Sequence, residues 1–248
     1  MSEKKETPLL MITDMVKATM EGRKTMTRRM KGLERINENP EEWRFNKFVC
    51  DPIQTWFTKK GKAGMKELKG FYAEFYHIGS FDEDYTYVKY PYGVVGDLIW
   101  VRETWAELTD VAGDSQIVFK AEGGWDGMVK KWKPGIHLEK RYARLWMEVT
   151  GIQIERLRDI EEVEAISEGV NIFLPEGKYN PELYECYQCD KGHVGSDNLC
   201  DDGFFEDPLK SFESLWKSIH GKKSWEENPW VWVIGFRKMK MVRELPFE

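Results

Sequence analysis

The order of apolar and polar positions divides the chain into short segments, most with the two-residue period of strands. The clearest is 141–157, where Ala143, Leu145, Met147, Val149 and Ile152 alternate with Arg144, Glu148 and Thr150. That spacing predicts one long half-buried strand, bent at Gly151. Leu98-Ile99-Trp100-Val101 follows a Gly96-Asp97 turn and reads as a buried strand. Gln116 to Ala121 reads as another. Trp230 to Phe236 is apolar at almost every position, which predicts a central strand covered on both faces.

Helical spacing is rarer. Thr13 or Asp14 is placed to cap a helix through Met20, with Met11, Met15, Val16 and Ala18 on its apolar side and Gly22 to end it. Asp159-Ile160-Glu161-Glu162 has capping-box spacing and predicts a short helix through Ser167, stopped by Gly169. Asp207-Pro208 opens a third helix, with Leu209, Phe212, Leu215, Trp216 and Ile219 on one face and Gly221 after it. Lys24 to Met30 reads as a strand rich in Thr and basic residues.

Residues 31–90 have no clean period, although aromatics such as Trp43, Phe45, Phe71 and Phe75 argue against simple disorder. Lys59 to Lys69 reads as a basic loop. The expected architecture is a single α+β domain over residues 8–240, with insertions at about 31–90 and 171–207. Its core would be a small, strongly bent sheet or barrel with helices across the openings.

Composition narrows the function classes. The formal charge of -6 argues against a broad phosphate grip on duplex DNA. A nucleoside, a nucleotide or a short RNA fits that balance better. No apolar run approaches the length of a membrane span, so no membrane partner is expected. Met1 to Thr7 is charged and lacks a signal-peptide core. Four Cys, three of them clustered, do not resemble a secreted disulfide framework, and a reducing cytoplasm is the natural compartment.

The clustered residues are Cys186-x2-Cys189-x3-His193-x6-Cys200. Four soft ligands in a short loop suit a tetrahedral, structural Zn²⁺, with unmetallated thiols as the alternative. Four protein ligands would leave no open position for catalysis. Cys50 stands alone and is expected to be buried packing. His137 and His220 lack spaced partners and read as structural.

The strongest candidate site is Gly22-Arg23-Lys24-Thr25-Met26-Thr27-Arg28-Arg29. A basic, Thr-rich strand can equally be a solvated sheet edge. On a regular strand Lys24 and Thr27 would point to opposite faces. They converge only if the chain bends between Gly22 and Thr25; otherwise Thr25, Thr27 and Arg29 share a face. Arg102-Glu103 follows a buried strand and either lines a pocket or forms a plain ion pair. Trp105 either stacks on a base or packs in the core.

The order of these pieces resembles the ASCH domain, a relative of the PUA-like β-barrels. A short helix runs into Gly22-Arg23-Lys24-Thr25-Met26-Thr27-Arg28. A Gly96-Asp97 turn feeds Leu98 to Val101. A strand leads through Leu157 to Asp159-Ile160 and on to Ala165 and Glu168-Gly169, and an apolar strand closes the chain. Trp100-Val101-Arg102-Glu103-Thr104-Trp105 and Asn228-Pro229-Trp230-Val231-Trp232-Val233 resemble the larger phage and metagenomic ASCH proteins. The matching motifs cover somewhat under half of the chain and leave both insertions outside.

The resemblance implies a PUA-like barrel and a chemistry. Small bacterial ASCH enzymes remove the acetyl group of N(4)-acetylcytidine with a Lys, a Thr and a Glu. Their Gly-x-Lys-x-x-Thr motif matches Gly22, Lys24 and Thr27 here, and their Glu matches Glu168 by spacing. The chain is therefore expected to be an amidohydrolase acting on N(4)-acylated cytosine nucleosides, with no cofactor for catalysis. Thr27 would supply a hydroxyl, Lys24 would activate it, and Glu168 would carry a proton or hold the cytosine edge. Arg28 and Arg29 would steady developing negative charge, with Arg102, Glu103 and Trp105 as further substrate-binding candidates. Glu168 could instead be a surface carboxylate beside Glu161, Glu162 and Glu164. A non-catalytic RNA or modified-base binder, or an ASCH-type ribonuclease, are the alternative functions.

Overall fold

The computed structural model describes residues 4–50, 53–59, 62–68, 70–79, 85–109, 113–174, 182–188 and 203–239; over 53–68 it describes the backbone alone. The chain opens with strand β1 (Glu6–Leu10), helix α1 (Thr13–Met20) and strand β2 (Met26–Arg29). Then come β3 (Trp43–Cys50), β4 (Ile53–Lys59), β5 (Lys62–Leu68), β6 (Phe71–His77) and β7 (Tyr85–Lys89). The middle holds β8 (Leu98–Arg102), β9 (Trp105–Thr109), β10 (Ser115–Phe119), β11 (Trp146–Arg156) and α2 (Glu162–Ser167). It ends with β12 (Ile172–Phe173), β13 (Leu183–Glu185), β14 (Phe204–Phe205), α3 (Pro208–His220), α4 (Lys222–Glu226) and β15 (Trp230–Lys238). The class is mixed α+β, dominated by strands. No described helix is long and apolar enough to cross a membrane.

The central sheet has the order β1-β8-β11-β15-β2. Only β1 and β8 run parallel; the other pairs are antiparallel. The apolar run of β15 lies between β11 and β2 and is buried over Trp230–Ile234, as expected of a strand covered on both sides. The register of β11 against β15 shifts between Val149 and Gly151, where the bend was expected. Among the described residues no ladder joins β1 to β2, so the sheet is open rather than a closed barrel. Its two edges still approach each other. The Arg29 guanidinium on β2 donates to the Leu10 carbonyl oxygen on β1 at 3.1 Å. A side chain thus spans the seam that a backbone ladder would close in a barrel.

Several expectations need correction. β1 lacks a clear sequence signal, being five residues with Pro8 at their centre. Proline is tolerated there because β1 is an edge strand. The basic strand starts at Met26 rather than Lys24. β11 starts at Trp146 because Lys140–Tyr142 forms a 3₁₀ turn. Residues 31–90 are more regular than their pattern suggests. β3, β6 and β7 form one antiparallel sheet, and β4 and β5 form a hairpin that includes most of the expected basic loop. This segment also enters the main core through Trp43, Ala73 and Phe75. Phe75 meets Trp230 edge-on with ring centroids 5.3 Å apart. Cys50, expected to be buried, is exposed.

α3 follows its sequence signals closely. Asp207 accepts from the Leu209 N–H at 2.8 Å, Pro208 takes the first helical position, and Gly221 ends the helix with φ +85°. Its apolar stripe delivers Phe212, Leu215 and Trp216 to the core. Those three residues line one wall of the cavity described next.

Candidate functional site

A cavity of about 420 Å³ opens at the seam between the two edge strands, within the usual range for small-molecule sites. Leu9, Leu10, Met11 and Met15 supply one apolar wall, and Phe212, Leu215 and Trp216 another. Lys24, Thr27, Arg28, Arg29, Arg102 and Glu168 bring polar chemistry to it. Six of the eight residues nominated as catalytic or substrate-binding therefore share one cavity.

The geometric obstacle at Lys24 and Thr27 is removed by the chain's turn. Gly22 adopts φ +83°, and the N–H groups of Arg23 and Lys24 both donate to the Ala18 carbonyl at 2.9 and 3.0 Å. The chain leaves α1 by this turn, and Lys24 is passed before strand alternation begins at Met26. Thr25 fixes the exit: its N–H donates to the Ser167 carbonyl and its carbonyl accepts from the Phe236 N–H, at 2.9 and 2.8 Å. Thr25 itself is exposed, which removes it as a partner for Thr27.

Gly169 lets Lys24 lie close to the end of α2. It has φ +88°, and a Cβ there would stand 2.7 Å from the Lys24 Cβ and 2.9 Å from the Ala18 Cβ. The sequence suggested Gly169 as a helix stop; the packing adds this close approach.

Lys24 is 3% exposed. Its Nζ donates to the Glu168 carboxylate at 2.7 Å and to the Glu168 carbonyl at 2.6 Å. Burial lowers the Lys24 pKa below the ordinary lysine value, and the charge of Glu168 opposes that shift. Glu168 is buried, so its reading as a surface carboxylate fails.

Arg28 is buried against three carboxylates. Its Nε and Nη2 donate to Glu155 at 2.8 and 2.6 Å, Nη2 to Glu164 at 2.6 Å, and Nη1 to Glu168 at 3.2 Å. Burial opposes its charge, but Glu168, Glu155 and Glu164 together hold it above the usual arginine value. Burial also pushes Glu155 up, against the pull of Arg28. Arg28 therefore acts first as the clamp that orients Glu168. Thr27 is 1% exposed and lines the cavity, and its hydroxyl makes no hydrogen bond among the described residues.

Glu103 and Trp105 do not line the cavity. Glu103 is 1% exposed and gripped by Arg144 through two bonds of 2.8 Å. Arg144 also reaches Glu122, so Glu103 belongs to a buried ion-pair network. Trp105 packs with Phe119 and Leu138 in a separate small core, with the Lys133 ammonium 4.4 Å from its ring centroid. It is core packing, the second of the two readings its sequence allowed.

Of the proposed zinc ligands, Cys189, His193 and Cys200 lie outside the described residues. Cys186 is described, and is buried with a free thiol. Among the described residues no group of three or more His, Cys, Asp or Glu is placed to hold a metal.

Tyr92 and His220 also line the cavity, although no motif singles them out. Tyr92 lies between β7 and β8, and burial raises its pKa. His220 ends α3, its ring 4.3 Å from that of Trp216. His220 is exposed at the surface, yet partial burial of its ring and then the charge of Arg29 lower its pKa. Spacing along the chain marks His220 only as structural, because it cannot reveal a pocket assembled from distant elements.

The fold and the site together define an α+β protein with an apolar cavity and a buried Lys–Glu pair at its wall. Comparison with family models, with curated proteins and with solved structures finds no match for the chain.

Proposed function

We propose that the chain is an ASCH-type, PUA-like protein whose cavity hydrolyses N(4)-acylated cytosine nucleosides such as N(4)-acetylcytidine. One observation carries this reading: Lys24 and Thr27 of one short motif line the same cavity as Glu168, 144 positions beyond Lys24. The curled sheet, with Arg29 spanning its open seam, supports a relation to the barrel folds.

The Lys24–Glu168 contacts support an acyl-transfer chemistry. A neutral Lys24 amine has two N–H donors and one lone pair. Both donors have partners on Glu168, which leaves the lone pair to take a proton from the Thr27 hydroxyl or from water. The oxygen nucleophile attacks the acyl carbon. The proton passes to the exocyclic nitrogen as its C–N bond breaks, with Glu168 and Lys24 as the relay. Water completes the balance, giving cytidine and a carboxylic acid. An arginine at the wall steadies the oxyanion.

The test is incubation of the purified protein with N(4)-acetylcytidine, following release of cytidine and acetate. Turnover no greater than that of Lys24→Ala would overturn the reading. Five cations against one carboxylate on the cavity wall favour a second reading, a non-catalytic RNA or modified-base binder or a ribonuclease. Salt-dependent RNA binding without release of acetate would favour the binder; cleavage of labelled RNA would favour the nuclease.

The cysteine pattern adds two independent parts to the proposal. Cys186, Cys189, His193 and Cys200 bind one structural zinc, and the protein works in a reducing cytoplasm.

A further inference from the structure

The cations of the cavity wall fall into two groups. Lys24 and Arg28 are neutralised by Glu168, Glu155 and Glu164. Arg29 and Arg102 have no carboxylate within ion-pair distance among the described residues, yet both line the same cavity.

Both arginines lie beside Leu10. Arg102 ends β8 directly opposite Leu10 in the β1 ladder. The Arg29 guanidinium reaches the Leu10 carbonyl at 3.1 Å and the Arg28 carbonyl at 3.3 Å, which occupies only two of its five N–H donors. The Arg102 guanidinium lies over the Trp100 ring at 4.9 Å, and its Nε is buried without a hydrogen-bond partner. Lys31 adds a further cation at the same cavity.

Buried donors without partners are costly, and two uncompensated guanidiniums against apolar walls are more so. A dianion that accepts from both would satisfy them. The planar donor forks of arginine suit phosphate oxygens, and a cavity of about 420 Å³ has room for a base and sugar beside the phosphate. We propose that Arg29 and Arg102 form a phosphate subsite, so that the cavity takes a cytosine mononucleotide in preference to the free nucleoside. The base identity rests on the cytosine reading above; the anion subsite does not.

The test is calorimetric titration of the full chain with cytidine, cytidine 5′-monophosphate, inorganic phosphate and a trinucleotide with an internal cytidine. The monophosphate should bind at least about ten-fold tighter than cytidine, the preference shrinking as salt rises. In Arg102→Gln the affinity ratio should fall toward one. Arg141→Gln, a surface change of equal charge outside the cavity, should keep it. Arg29→Lys retains a cation but loses the fork, and should give an intermediate ratio. Thermal unfolding of each variant separates lost binding from lost fold.

Equal affinity for cytidine and its monophosphate would overturn the subsite, as would a ratio that survives Arg102→Gln. Inorganic phosphate binding that Arg102→Gln abolishes, with no affinity for any cytosine ligand, would keep the subsite and remove the cytosine reading. A trinucleotide that binds tighter than the monophosphate would assign the arginines to a phosphodiester and overturn the mononucleotide.

Discussion

Lys24 Nζ lies 2.7 Å from the carboxylate of Glu168, a residue 144 positions further along the chain, and both side chains are at most 5% exposed. Burial and the carboxylate act on the amine in opposite directions, and burial prevails, so Lys24 titrates below its ordinary 10.5. If the neutral amine is the working form, kcat/KM for acyl release rises with pH, with a midpoint under 10.5. In Glu168→Gln the opposing charge is gone, so the Lys24 titration moves further down. Nitrogen-detected NMR of the Lys24 amine reads this directly, whether or not the variant turns over. A Lys24 pKa that rises in Glu168→Gln contradicts the electrostatics described here.

The same pair sets an asymmetry in stability. Glu168→Gln leaves the buried Lys24 with neutral acceptors only and removes its counter-charge. Breaking a buried pair in this way costs about 3–5 kcal/mol. Lys24→Met keeps the stem volume and leaves Glu168 its contact with Arg28, so it should cost less, about 1–2 kcal/mol. Urea unfolding of both variants at neutral pH checks the order, and a larger loss in Lys24→Met contradicts the network. The pH dependence has a definite sign. Because the folded pKa of Lys24 is depressed, the unfolded chain binds the extra proton in the window just below 10.5. The wild type should gain stability relative to Lys24→Met as pH rises through that window, and the gain should stop above it.

How much of this was legible in the sequence differs by residue. Lys24 and Thr27 were visible as a polar segment after a turn glycine, because that signal is local. Glu168 came from motif order, since nothing near it marks it out from Glu161, Glu162 and Glu164. Arg28 was nominated for the oxyanion, but its binding to Glu155 across 127 residues depends on packing that periodicity does not encode. Arg144 was placed on the polar side of its strand and proved to be buried by its bond to Glu103. The apolar wall from β1 was missed because five residues around a proline do not make a strand pattern. Strands with strong alternation or long apolar runs were read correctly, because there burial and period coincide.

The zinc prediction can be tested without a structure of the loop. Protein purified without a histidine tag should carry about one zinc per chain, and a strong chelator should lower its unfolding temperature. Replacing Cys189 with Ser should abolish both the metal and the chelator effect. Elemental analysis finding less than about one zinc per four chains argues for unmetallated thiols.

Two glycines with nearly the same φ separate strain from crowding. Gly22 has φ +83° and nothing within 4 Å of where a Cβ would be. Gly22→Ala should therefore cost only the left-handed backbone penalty, about 1–2 kcal/mol. Gly169 has φ +88°, but its added Cβ meets Lys24 and Ala18 at 2.7 and 2.9 Å. Neither neighbour is a flexible side-chain end, so α1 or the Lys24 turn must shift, adding about 1–3 kcal/mol. Gly169→Ala should thus be the more destabilising in urea. It should also lower turnover further than its folded fraction explains, because the displaced atom carries the Lys24 amine. Equal losses of stability in the two variants would mean that Gly169 serves only the backbone turn, and that the close approach to Lys24 places no constraint on the site.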